Sequence, residues 1–108
     1  MTVAQLCEKH GFKVLSMPDG ERASKGCYIG DLLSWVMGRA QQDNAWITIM
    51  SNINIAAVAA LSDVSVVLLA EDVVPDDSVI QTALAKNVNI AVSSLPAFET
   101  AMQIAADI

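Results

Sequence analysis

Cys7 and His10 stand three residues apart, a spacing that puts a thiol and an imidazole on one helix face and suits a pair of metal ligands. No second close pair such as C-x-x-C accompanies them, so the two cysteines, Cys7 and Cys27, read more simply as packed free thiols in a reducing compartment. Asp31 and Ser34 could in principle supply an acid and a nucleophile. Ser34, however, has no histidine near it in sequence, and Asp31, placed before an apolar run, has the position of a helix cap. The acid pairs Glu71-Asp72 and Asp76-Asp77 suit a negatively charged helix entry better than a carboxylate dyad, and His10, the only histidine, can meet the dipole at a helix end as a cation. With no glycine-rich phosphate loop, nucleophile elbow or metal-ligand cluster, the sequence reads as non-enzymatic, with no catalytic residue, no metal site and no cofactor.

The elements that would position these groups follow from periodicity and turn chemistry. Thr2 with Gln5 forms a capping box and Gly11 a left-handed stop, which predicts a first helix with Val3, Leu6, Cys7 and His10 on one face. Phe12 to Met17 is apolar and strand-compatible until Pro18-Asp19-Gly20 turns the chain, and Glu21 to Lys25 reads as an exposed loop. Cys27 to Ile29 is a short strand, and a helix capped by Asp31 runs through Leu32, Leu33, Trp35 and Val36 to about Arg39.

Ala45 to Met50 and Ser65 to Ala70 are near-continuous apolar runs of strand length, the pattern of strands covered on both faces, and the first is expected to be central. Between them Asn52 or Asn54 caps a helix, Ile55 to Leu61, that carries scarcely a polar residue. Ser78 to Lys86 is amphipathic with Val79, Ile80, Ala83 and Leu84 inward, and Asn87 stops it. Val88 to Val92 repeats the buried-strand pattern. A last helix from Leu95 to Ile108 presents Phe98, Met102, Ile104 and Ala105 as its apolar set. Strands alternating with helices over short connections predict an α/β fold: a single three-layer domain spanning 1–108, with a mostly parallel sheet and helices on both faces.

Hydrophobic residues make up 54% of the 108 positions and charged residues 17%. An average soluble domain is about 45 to 50% apolar and about 25% charged. A chain this short hides only about 65% of its unfolded surface, so the excess is expected at an interface, with the alanine-rich helix after Asn54 as its centre. The apolar runs are broken by Asn52, Asn54, Ser62 and Asp63 before the roughly 20 residues of a bilayer span. Gln5, Glu8, Lys9 and His10 stand where a secretory signal would need an apolar core, which leads to a cytoplasmic expectation. Twelve acids against six bases give a net charge of −6, which argues against nucleic acid and anionic membranes as partners.

Parallel sheets place ligands beyond the carboxyl ends of their strands. Here those loops hold Ser51, Asn52 and Asn54, then Glu71 and Asp72, then Ser93 and Ser94, and they are expected to converge. The asparagines and serines either cap helices or share a small-molecule pocket. Leu32, Trp35 and Val36 with Ile55, Val58 and Leu61 form the candidate self-association surface, since aromatic side chains dominate interface energetics.

The order Gly26-Cys27-Tyr28-Ile29-Gly30-Asp31-Leu32-Leu33-Ser34, Trp46-Ile47-Thr48-Ile49, Asn54-Ile55-Ala56-Ala57-Val58-Ala59, Pro75-Asp76-Asp77 before a helix, and a strand followed by Phe98-Glu99 resembles a DRTGG domain over nearly the whole chain. Such modules occur beside CBS domains in regulated pyrophosphatases, inside some phosphotransacetylases, and alone as short bacterial and archaeal proteins. The resemblance implies a regulatory, dimer-forming unit. The name-giving residues differ: Ser51 and Asn52 stand in place of aspartate and arginine, and Ala70, Glu71 and Asp72 in place of Thr-Gly-Gly. Carboxylates there oppose phosphate binding. The expected function is a non-enzymatic regulatory or scaffold domain acting as a homodimer for a metabolic or signalling partner. The alternative is a nucleotide or metabolite sensor at the strand-end loops or the dimer interface.

Overall fold

The computed structural model describes all residues, Met1–Ile108. In chain order the elements are α1 (Val3–His10), β1 (Lys13–Ser16), β2 (Cys27–Ile29), α2 (Leu33–Arg39), β3 (Ala45–Thr48), α3 (Asn54–Ser62), β4 (Val66–Leu69), α4 (Asp77–Ala85), β5 (Ile90–Val92) and α5 (Ala97–Ile104), ending in a 3-10 turn, Ala105–Asp107. The five strands form one sheet in the order β1-β5-β4-β3-β2. β2 to β5 are mutually parallel and β1 closes one edge antiparallel to β5. β3 lies inside the sheet between β2 and β4 with every residue buried, as its apolar run predicts, and β4 is the middle strand. Two interior strands flanked on both sides look alike in sequence, because both are apolar on both faces.

Side-chain alternation along the strands divides the interior into two cores. Trp46, Val67, Leu69, Ile90 and Val92 meet α2, α3 and α4 on one face, while Ala45, Ile47, Val66, Leu68 and Ala91 meet α1 and α5 on the other. The fold is therefore α/β, three-layered and mostly parallel. Local chemistry sets the helix ends. Thr2 and Gln5 exchange both capping-box bonds, Gly11 adopts φ 69° at the end of α1, and Asp63 and Asn87 take left-handed conformations after α3 and α4.

Several inward assignments change. On α4 Val79 and Ala83 are buried, Ile80 is half-buried and Leu84 is exposed. On α5 the buried residues are Thr100 and Ile104, whereas Phe98 and Met102 face outward, as does Ala105 in the 3-10 turn that follows. The Thr100 hydroxyl lies 2.8 Å from that of buried Ser93 and donates to the Leu95 carbonyl at 3.2 Å. This polar anchor rotates the helix away from its most apolar side. The loop from Glu21 to Lys25 is not simply exposed. Ser24 is buried against Ser65 at 2.8 Å, and Arg22 bridges Asp43 and Asp63 at 2.8 and 2.9 Å.

Candidate functional site

The carboxyl ends of β2, β3, β4 and β5 lie along one side of the sheet. Asp31 follows β2, but it does not cap α2, whose N-cap position is Leu32 with no side-chain bond. Its Oδ1 accepts from the Thr48 hydroxyl at 2.8 Å and from the Ile49 amide at 3.1 Å, and Thr48 in turn accepts from the Met50 amide. The carboxylate thus ties the end of β3 to the start of α2. Asn52 accepts from the Asn54 amide at 2.9 Å in a turn that opens α3, and Ile53 occupies the N-cap position.

Glu71 and Asp72 follow β4 with consecutive φ values of 60° and 58°. Their amides donate to the Leu95 and Ser93 carbonyls at 2.9 and 3.0 Å. The loops after β4 and β5 are therefore zipped together by backbone bonds, and Ser93 also accepts from the Leu95 amide. Glu71, Asp72 and Ser93 come together, while Ser51, Asn52 and Asn54 share no hydrogen bond with them and Ser94 is exposed. Amides that could cradle an anion are already committed, and the side chains above them are acidic. The left-handed pair also marks where the glycines of the resembled motif would sit at no steric cost. Glu71→Gly is accordingly expected to raise stability by about 0.5 to 1 kcal/mol, the relief of left-handed strain less the added chain entropy. A urea titration followed by circular dichroism measures it.

The one surface hollow, about 770 Å³, lies elsewhere, between α1 and the C-terminal turn, and is lined by Met1, Gln5, Glu8, Lys9, Ala106 and Asp107. There Asp107 receives Lys9 Nζ at 2.8 Å on one oxygen and the His10 Nε2–H at 2.7 Å on the other. His10 is thus held by a specific carboxylate. The bond from Lys9, then that from His10, holds the Asp107 carboxyl below its ordinary 3.8. A carboxylate favoured in the folded state stabilises above the unfolded pKa and loses that effect as pH falls through the lower folded value. Wild-type and Asp107→Asn denaturation midpoints should therefore differ at pH 6 and converge as the pH is lowered past about 4. Cys7 does not join His10 as a ligand: it is buried in the core, its thiol pushed up to about 11 by desolvation. No group of three or more His, Cys, Asp or Glu side chains is placed to hold a metal ion.

The expected contact surface divides in two. Val36, Ile55 and Val58 are buried in the subunit's own core and cannot reach a partner, which corrects their place in that surface. The reason is that α2 and α4 flank α3 and that its alanines are small enough to seat Ile55, Ala56, Val58 and Ala59 against the sheet. Exposed apolar side chains remain at the end of α3 and along α2. Leu32, Trp35 and Leu61 are 57%, 52% and 74% exposed. Met37, not singled out from sequence, is 52% exposed, and the Arg39 guanidinium lies 3.7 Å from the centre of the Trp35 ring. The signal for Met37 was available: with Val36 turned inward, positions 35 and 37 must flank the outer face of the helix.

No protein-family model and no curated protein matches the chain. Among solved structures it is similar to the CBS and DRTGG domains of the regulatory region of Clostridium perfringens pyrophosphatase, crystallised with its activator diadenosine tetraphosphate. The TM-score is 0.74 at 10% sequence identity over 95% of this chain. The likeness is one of fold, and this chain spans 45% of that longer one.

Proposed function

We propose that this chain is a non-catalytic, single-domain regulatory or scaffold unit that works in the cytoplasm as a homodimer and serves a metabolic or signalling partner. The exposed apolar face of α2 carries this reading: Trp35 and Met37 lie open on a helix with only one buried residue, Val36, and Leu32 is open at its N-cap. A fold shared with a regulatory region supports it. No helix is long and apolar enough to cross a membrane. Multi-angle light scattering over rising concentration tests the reading. The mass should climb from 11.4 kDa toward twice that value, and a constant 11.4 kDa overturns it.

One observation favours a second reading, a small-molecule sensor: the similar regulatory region is described with a dinucleotide activator. In this chain Ser51, Asn52, Asn54 and Ser94 offer polar groups in the loops after the strands, as do Glu71, Asp72 and Ser93. A thermal-shift panel of adenine nucleotides tests it. A ligand at a hundredfold excess over its Kd adds about 2.7 kcal/mol, and flat melting curves throughout remove the reading.

A further inference from the structure

Resting on the homodimer reading, the geometry points to α2 packing antiparallel against α2 of a second copy, about a two-fold axis that passes between Ser34 and Gly38. With Val36 turned into the core, helical periodicity sends Ser34 and Gly38 outermost, with Trp35 and Met37 on either side. Nothing lies within 4 Å of where a Cβ would stand on Gly38, so the subunit itself gives no packing reason for a glycine inside a helix. An antiparallel mate about that axis sets Ser34 of one copy on Gly38 of the other. It also sets Trp35 against Met37, a sulfur–aromatic pairing.

Charge selects a second copy as the occupant. From Leu32 to Ser62 the only charged residues are Arg39 and Asp43, and Asp43 is held by Arg22. Two copies of a molecule with net charge −6 repel elsewhere but can approach here. Asp31 lies just before α2 and Arg39 ends it, so each copy brings one charge of either sign to the face. A uniformly acidic partner would oppose Asp31, and a uniformly basic one Arg39; the face is complementary to itself. Seven helical residues offer less than the about 800 Å² per partner of a standard interface, so the association is weak and depends on concentration.

Sedimentation equilibrium from about 10 µM to about 1 mM on wild type, Gly38→Ala, Gly38→Leu and Phe98→Glu tests the inference. Gly38→Ala should raise the melting temperature of the dilute protein by about 4 °C yet weaken dimerisation. Gly38→Leu, which meets open space in the single subunit, should stay folded and lose at least tenfold in dimer affinity. Phe98→Glu, on the exposed face of α5, should dimerise as wild type does. Wild-type dimerisation by folded Gly38→Leu, or its loss in Phe98→Glu, overturns the α2 assignment while the homodimer stands. A wild-type chain that remains monomeric to 1 mM removes both.

Discussion

Replacing Trp46 by alanine is expected to cost about 4 kcal/mol, a large share of the about 5 to 15 kcal/mol that holds a domain together. Trp46 is fully buried at the centre of the larger core, on β3 between α2, α3 and the neighbouring strands. Its removal leaves a cavity that the β-branched and alanine neighbours Val67, Ile55 and Ala56 are too short to fill. It also leaves the Gly30 carbonyl without the indole N–H that reaches it at 2.9 Å. That bond pins the turn leading from β2 into α2. Trp46→Phe keeps most of the volume and loses only the bond, so it should cost about 1 to 2 kcal/mol. Urea midpoints followed by far-ultraviolet circular dichroism separate the two. Equal costs for both variants would show that the bond, not the volume, dominates.

Asn89→Ala is expected to cost about 3 kcal/mol, from a residue that hydropathy alone would ignore. Its buried amide joins three segments: Nδ2 donates to the Asp19 carbonyl at 2.8 Å and to the Ser65 carbonyl at 2.9 Å, and Oδ1 accepts from the Asp19 amide at 3.0 Å. Alanine takes away the side-chain partner of the Asp19 amide and the Ser65 carbonyl, and leaves the Asp19 carbonyl only a long bond from the Arg22 amide at 3.3 Å. Asn89→Asp preserves the shape but has no donors and sets a carboxylate against two carbonyls, so it should be at least as damaging as alanine. Chemical denaturation of the three proteins checks the order. A milder effect for aspartate than for alanine contradicts the bonding scheme.

These two residues show what could be read from the chain and what could not. Trp46 stood in an apolar run whose strand identity was legible, as were the runs that became β4 and β5, because a parallel strand covered on both faces needs nearly every residue apolar. The capping box of Thr2 and Gln5, the stop at Gly11 and the left-handed Asn87 were legible too, since each is decided within a few residues. Asn89 was not, because a buried amide is defined by partners 24 and 70 positions away. Asp31 failed as a helix cap for the same reason: its partners, Thr48 and Ile49, arrive from another strand. The outward turn of Phe98 and Met102 depended on the Ser93–Thr100 bond, and the exposure of Trp35 on α2 covering no more than one core residue. Apolar periodicity reports that a face is greasy, not whether the sheet or a neighbouring molecule covers it.

The carboxyl-end loops show a similar limit. Their identity as the side of the sheet where ligands gather followed from the α/β rhythm. Their closure by the Glu71 and Asp72 amides required a left-handed backbone at two residues that rarely adopt it. The outer face of α2, by contrast, leaves Leu32, Trp35 and Met37 open.

Closure of α2 against a second copy is read out by amide hydrogen exchange of the intact chain at about 10 µM and about 1 mM. The amides from Val36 to Ala40 should exchange more slowly in the concentrated sample, with those from Phe98 to Met102 unchanged. Identical exchange along α2 in a sample whose mass has doubled contradicts that closure.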